Sequence, residues 1–366
     1  MVADHQGGGN QERVTLLRPR HPVAAPDRLG PASAARADAD GRFAHKRDTH
    51  HPEDGAPPLR ILIMGSGGVG GVFGARLAKG GADVTFVARG AHFEAMQKHG
   101  LRVEGGADPI ALPKVNATAD PASVGRVDMI LFAVKLQDTE SAARSLLPCI
   151  GPDTGLISFQ NGVQKDDMLR PIIGDTALIG GTSYVSAAIS APGVITQTGT
   201  MQGLAFGEFD GHRSTRVEAL HKACVAGGIQ AEISPDINLV IWQKFVFLAS
   251  VAGATTSMRA PIGAIRDNPL TRQFLLDLMT EIVAVARARG VALAPDFAER
   301  QIAFADTLPA GMIASMYHDL QSGKPLELPW LNGGVVDLGA ASGVPTPLNR
   351  AVRDVLILHA KGKMAT

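Results

Sequence analysis

One stretch constrains this chain more than any other. Leu59 to Met64 is a largely apolar run, and Gly65-Ser66-Gly67-Gly68-Val69-Gly70 follows it at once. The run has the pattern of a strand buried on both faces. Val69 to Ala78 then reads as a helix, with Val72, Ala75, Leu77 and Ala78 on its apolar side. A G-x-G-x-x-G set between a buried strand and a helix gives each glycine a physical task. The first permits the sharp turn, the second lets backbone approach a pyrophosphate, and the third allows helix and strand to pack closely. The helix N-terminus offers its free N–H groups to the phosphates. Glycine is common here, 42 in 366 residues, so it is the position of the motif that carries the argument. Gly65, Ser66, Gly67, Gly68, Val69 and Gly70 are the candidate cofactor-binding residues.

The alternation continues downstream. Val84 to Ala88, Val127 to Val134 and Gly155 to Phe159 read as strands, with helices near Ala91 to His99, Thr139 to Leu147 and Val163 to Leu169. That order means a parallel sheet covered by helices on both faces. Shorter strand-like runs follow at Ala177 to Ile179, Val194 to Thr198 and Leu204 to Phe206, some of them antiparallel. Ser214 to Ala226 is helical, and Ile229 to Ile233 is a last strand. Beyond Pro235 the pattern is helical. The clearest helix starts at Asn268 as N-cap and Pro269 in the first turn and ends at Gly290, with Leu270, Phe274, Leu278, Ile282 and Val285 on one stripe. The expected fold is α/β: a Rossmann-type dinucleotide-binding domain over residues 59–234, then an all-helical domain over 235–366 that carries substrate and catalysis. Residues 1–58 are rich in Arg, His, Asp, Ala, Gly and Pro and poor in large apolar residues, and are expected to be disordered.

Composition narrows the function. Lys plus Arg and Asp plus Glu both number 35, which argues against a nucleic-acid partner or a polybasic membrane surface. No run approaches ~18 uninterrupted apolar residues, so no membrane-crossing helix is expected. Two cysteines, Cys149 and Cys224, make no disulfide framework and suit a reducing compartment, so a cytoplasmic location is expected. The histidines share no ligand spacing with acids or cysteines, and no metal is expected.

Three positions bear on the ligand. An NAD site usually has an acid about 20 residues past the motif, at the end of the second strand. Here Ala88-Arg89-Gly90 stands there, and a guanidinium suits a 2′-phosphate rather than ribose hydroxyls, so NADP(H) is favoured. Ala133-Val134-Lys135 closes a strand, which puts Lys135 on the rim of the ligand crevice, within reach of the adenine or its 2′-phosphate. Phe159-Gln160-Asn161-Gly162 closes the next, which puts Asn161 near the nicotinamide end.

Together with Trp242-Gln243-Lys244, these motifs occur in the order seen in the ketopantoate reductase family (the 2-dehydropantoate 2-reductases), which the chain resembles from Leu59 to about Lys361. The resemblance implies a Rossmann domain and a helical domain with the active site between them. It implies NADPH-dependent reduction of a small 2-oxo acid, ketopantoate to pantoate, as in pantothenate and coenzyme A biosynthesis. Lys244 matches the lysine that protonates the carbonyl oxygen, Asn161 the asparagine that orients substrate, Ser315 a serine on the substrate carboxylate, and Glu327 the glutamate that binds the substrate hydroxyl. Arg89 and Lys135 resemble the pair on the 2′-phosphate. The residues agree with this chemistry. Reducing a ketone needs a proton donor, and Lys244 lies among Val240, Ile241, Trp242, Phe245 and Phe247, where burial lowers a lysine's pKa.

One departure matters. The family's common pattern has asparagines four and eight residues after the lysine, on the same helix face; here Leu248 and Ala252 stand there. A site that loses donors for a substrate hydroxyl loses discrimination for it. A less polar oxo acid is therefore the alternative substrate class, and a non-catalytic NADP-binding sensor is the alternative outside enzymes. A sensor has no use for a buried lysine. A homodimer is left open.

Overall fold

The structure, a computed structural model, describes residues 57–363. The disorder expected of residues 1–58 lies outside the described residues, apart from Pro57 and Pro58. The sheet-bearing part runs β1 (Arg60–Met64), α1 (Gly68–Lys79), β2 (Asp83–Val87), α2 (Gly90–His99), β3 (Leu101–Gly105), β4 (Ile110–Leu112), β5 (Asn116–Thr118) and β6 (Met129–Phe132). It continues with α3 (Thr139–Ser145), β7 (Gly155–Ser158), α4 (Lys165–Ile173), β8 (Leu178–Ala191), β9 (Val194–Gly207), α5 (Thr215–Ala226) and β10 (Gln230–Ile233).

Ten strands form one sheet in the order β4-β3-β9-β8-β7-β6-β1-β2-β5, with β10 also paired to β9. The stretch from β5 through β8 is parallel throughout. Alternation along β1 sends Ile61 and Ile63 into one core, with Phe73 and Phe86, and Leu62 and Met64 into the other, with Ile130 and Phe132. Both faces are thus covered, as a parallel sheet requires. Register positions the site: Met64 pairs with Val87 on one side and Phe132 on the other, and Phe132 pairs with Ser158. The chain therefore leaves β1, β2, β6 and β7 at one level of the sheet, where the strand order reverses, and that edge is the ligand crevice of such folds.

Three expectations need correction. The runs taken as separate short strands belong to one long hairpin, β8 and β9, of 14 residues each. Only the first half of β8 is buried, and its outer half, rich in Ser and Ala, is partly or wholly exposed. The apolar signal therefore fades where backbone pairing continues. The tip is held by Gly193 at φ +73°, and register shifts fall at Tyr184/Ser186 and Ile189/Ala191. Strands β3, β4 and β5 leave no clear apolar pattern in the sequence because they are short, lie at or near the sheet edges and bury few side chains. Leu270 does not belong to the apolar stripe of its helix, being 82% exposed.

From Ile237 the described residues form helices only: α6 (Ile237–Met258), α7 (Ile262–Asp267), α8 (Pro269–Ala288), α9 (Phe297–Ala305), α10 (Ser315–Gln321), α11 (Asn332–Ser342) and α12 (Pro347–Leu356). Asn268 caps α8 as expected, its side chain accepting from Leu270 N and Thr271 N. The buried stripe of α8 is Leu275, Leu278, Met279, Ile282, Val283, Val285 and Ala286. By length and composition alone α6 is apolar enough to cross a membrane, with mean hydropathy 1.5 over 18 residues. Here it is the central helix of the second core, packed on α8, α10 and α12. Buried Asn332 locks it in place, donating to Ala249 O (3.3 Å) and to Asn349 Oδ1 (2.9 Å), while Asn349 donates to Glu281 on α8 (2.7 Å). Asn332 Oδ1 is left without a partner among the described residues, but the bonds that are made tie α6, α8, α11 and α12 together.

Candidate active site

The glycine loop is built as its sequence demands. Gly65 has φ +98°, and a Cβ there would stand 2.8 Å from Val134 N. A Cβ on Gly70 would stand 2.1 Å from Gly65 O, so α1 can lie against the turn only without one. At Gly67 nothing lies within 4 Å of that position. Gly67 is also the N-cap of α1 and supplies no side-chain cap, which leaves first-turn N–H groups free. An open backbone approach at an uncapped helix N-terminus fits a pyrophosphate. Val69 opens the helix beside it, and Gly68 is pressed against β8, where a Cβ would stand 2.0 Å from Ala187 O. Ser66 is tied to the end of β2, with its N (3.1 Å) and Oγ (2.9 Å) both donating to Val87 O.

Arg89 caps α2 in an extended conformation; it is exposed, and among the described residues it makes no ion pair. Its guanidinium is free to meet an anion beside the loop. Lys135 is placed differently from Arg89. Its ammonium lies 3.2 Å from Asp319 Oδ2 on α10 and 3.3 Å from Glu327 Oε2. Burial, the largest influence, lowers its pKa, but the two carboxylates together raise it above the ordinary lysine value. Lys135 thus bridges the sheet to the helical part.

The second bridge is Lys244. Its Nζ donates to Asn161 Oδ1 at 3.2 Å and lies 5.9 Å from the Tyr184 ring centroid. Although the residue keeps some accessible surface, burial pushes its pKa down to about 8; the charge of Lys165 adds to that and Glu327 opposes it. Asn161 is held by a rigid loop. Ser158 Oγ donates to Gln160 Oε1 (3.0 Å), Gln160 Nε2 to Thr139 Oγ1 (2.8 Å) and Thr139 Oγ1 to Leu136 O (2.8 Å), all buried. Gly162 turns the chain at φ +95°.

Asn161, Lys244, Glu327 and Lys135 thus form one electrostatic cluster across the cleft. Leu248 and Ala252 follow Lys244 by one and two helical turns; Leu248 is partly buried and Ala252 buried. Ser315 is exposed at the first turn of α10, four residues before Asp319 and so on the face that meets Lys135. No hydrogen bond joins it to the cluster.

Three residues around the cluster carry no signal in the sequence. Asp319 carries no local motif, and only the fold brings it to Lys135. Lys165 and Asp166 fall within the helix expected near Val163 to Leu169 and carry no separate signal in the sequence. In fact Lys165 is almost completely buried, donating to Ser158 O (2.9 Å) and to Asp166 Oδ1 (3.2 Å) and Oδ2 (3.0 Å). Burial raises the pKa of Asp166 despite that partner. Among the described residues no cluster of His, Cys, Asp and Glu is arranged to hold a metal ion.

The fold and this cleft define a dinucleotide-binding oxidoreductase of two parts. Comparison with known proteins narrows the class. Residues 61–211 match the family model described as ketopantoate reductase PanE/ApbA, and residues 236–360 match the model of its C-terminal part. A 2-dehydropantoate 2-reductase of Mesorhizobium japonicum is 31% identical over 80% of this chain and 95% of its own length. The uncharacterized oxidoreductase YkpB of Bacillus subtilis is 29% identical over 80% of this chain and 96% of its own. The crystal structure of a PanE/ApbA family ketopantoate reductase from Ralstonia eutropha superposes with TM-score 0.75 at 31% identity, covering 82% of this chain and 98% of that one. The chain belongs to the ketopantoate reductase family. A D-mandelate dehydrogenase in ternary complex with NADH and anilino(oxo)acetate shares the fold, with TM-score 0.76 at 19% identity over 82% of this chain and 98% of that one.

Proposed function

We propose that this chain reduces a 2-oxo acid with NADPH in the cytoplasm, and that 2-dehydropantoate is the first substrate to test. The observation that carries the reading is the 3.2 Å contact from Lys244 Nζ to Asn161 Oδ1, a proton donor and an amide meeting from opposite sides of the cleft. The glycine loop would hold the pyrophosphate and Arg89 the 2′-phosphate. Bound NADPH supplies the hydride. Lys244 donates its proton to the ketone oxygen as charge develops there. A lysine with a pKa of about 8 is mostly protonated at neutral pH yet gives up its proton far more readily than an exposed one. Asn161, no longer needed as the partner of Lys244 alone, orients the oxo acid, and Ser315 offers a hydroxyl to its carboxylate. Glu327 accepts from a substrate hydroxyl, which requires Lys135 to share it.

A second reading has its own support. Leu248, partly buried one turn after Lys244, offers apolar surface where a hydroxylated substrate would want a donor. Ala252 is buried in the helical core and offers almost none. Leu248 thus favours an oxo acid with a less polar side chain. The dehydrogenase of matching fold holds anilino(oxo)acetate, an oxo acid with an aromatic group. Purified protein should be screened for NADPH and NADH oxidation against 2-dehydropantoate and a panel of aliphatic and aromatic 2-oxo acids. Preference for 2-dehydropantoate supports the first reading and preference for an apolar acid the second. Turnover of none, with either cofactor, sinks both.

A further inference from the structure

Half-buried His92 lies in the first turn of α2, three residues after Arg89, and the chemistry described so far gives it no task. Its ring is bonded at both nitrogens. Nε2 lies 3.0 Å from Ser66 O in the glycine loop, and Gly193 N lies 3.0 Å from Nδ1 at the tip of the β8–β9 hairpin. We propose that His92 is a positioning residue of the dinucleotide site, a neutral imidazole strut that sets the orientation of the Ser66–Gly67 peptide. The proposal rests on the reading that the loop receives a dinucleotide.

The tautomer follows from the partners. A backbone N–H can only donate, so Nδ1 must present its lone pair to Gly193, and the single ring proton sits on Nε2 and is donated to Ser66 O. Both partners are themselves anchored. The N and Oγ of Ser66 bond Val87 O, and the carbonyl of Gly193 accepts from Arg102 N at 2.9 Å. The hairpin behind the ring also walls the loop, since Cβ atoms on Gly68 and Gly71 would strike Ala187 O and Ile195 Cδ1. The consequence reaches the ligand through one planar unit. Ser66 C=O and Gly67 N–H belong to the same trans peptide and point opposite ways. Holding the carbonyl on His92 therefore aims the N–H of Gly67, the glycine at which the backbone is open to approach.

A second proton on the ring would turn Nδ1 into a donor facing the donor of Gly193. From the loop and the hairpin only backbone atoms bond the ring, and β5, also packed on α2, carries no ionisable side chain. On its own helix the neighbouring charges are Arg89 and Glu94, and neither bonds it. Burial pushes the imidazole pKa down, with the bond to Ser66 opposing, so the neutral form is the resident one.

The test is calorimetric titration of NADP⁺ and of NAD⁺ into the full-length wild type and into His92→Phe, His92→Gln and His92→Asn, at about pH 8 and about pH 5. Gln reaches the Nε2 position and keeps a donor for Ser66 O, whereas Asn keeps only the acceptor for Gly193. The expected result is a roughly tenfold loss of NADP⁺ affinity in the Phe and Asn variants, on the scale of one hydrogen bond, with affinity largely kept in Gln. Wild-type affinity for NAD⁺, which has no 2′-phosphate to titrate, should fall from the higher to the lower pH, and that fall should be absent in Gln. The Gln and Asn variants keep the test open if Phe does not fold. Variants that all bind as wild type does, or an acid loss that persists undiminished in Gln, overturn the strut. A wild type that binds neither nucleotide at the higher pH overturns the dinucleotide reading as well, which separates the two failures.

Discussion

The two walls of the cleft are made in different ways. The sheet side presents backbone: an uncapped helix N-terminus, a Gly65 with φ +98° and a Gly70 with no room for a Cβ. The helical side presents side chains brought from separate segments, Lys244 from α6, Asp319 from α10 and Glu327 from the stretch before α11. A backbone site needs glycines at fixed offsets and changes little without losing its fold. A side-chain site can exchange a residue on an unchanged helix, as Leu248 and Ala252 illustrate. On the proposed reading the sheet side would set the kind of cofactor, and the helical side the identity of the substrate.

The hardest blow to that comparison would be a helical wall without chemistry. Lys244→Ala is expected to lower kcat by roughly 10²–10⁴-fold, the usual scale for losing a general acid. Cofactor affinity should stay near wild type, because the glycine loop and Arg89 lie on the other wall. Lys244→Arg should not restore the rate, since a guanidinium keeps its proton at any working pH. Near wild-type turnover in the alanine variant would leave only a dinucleotide-binding fold.

The same contrast decides what could be read in advance. The strand, the glycine loop, α1 and Arg89 were legible because each is a local pattern whose period or offset has one physical cause. Lys244 stood out because a charge in the run from Val240 to Phe247 is costly unless it is used. The outer half of β8 was illegible, because its pairing is a backbone matter and its side chains are mostly exposed, whereas the facing Val194 to Thr198, with Ile195 buried, was legible as a strand. Asp319 and Lys165 were illegible for a different reason. One lies 184 residues from its partner Lys135, and the other is buried only because the β7–α4 turn folds it inward onto Ser158 O.

Arg89 sharpens the comparison from the sheet side. Arg89→Ala should weaken NADPH binding by about tenfold or somewhat more, the scale of a charge-assisted contact to phosphate. NADH binding should hardly move, so the ratio of the two dissociation constants carries the result. An unchanged ratio would mean that the guanidinium does not meet the 2′-phosphate, and that cofactor choice is made elsewhere.

The smallest effect expected joins the two walls, because Lys165 sits under the sheet-side loop while its charge acts on the helical-side lysine. If Lys244 is the proton donor as proposed, it must be protonated for reduction, and kcat should fall as pH rises through its pKa of about 8. Burial and the charge of Lys165 both lower that pKa, and Glu327 opposes them. Removing the Lys165 charge leaves burial alone to lower it, and the alkaline limb should move to higher pH by no more than about one unit. Lys165→Met by itself strands Asp166 in the interior, and breaking a buried pair on one side costs on the order of 3–5 kcal/mol. The double change Lys165→Met with Asp166→Asn removes both charges and leaves no unpaired carboxylate. Its pH–rate profile is the measurement. A limb displaced upward makes the buried pair part of the site's electrostatics. A limb that stays in place while the melting temperature falls makes it a structural pin beneath Asn161, and the two walls are then electrostatically independent at that point.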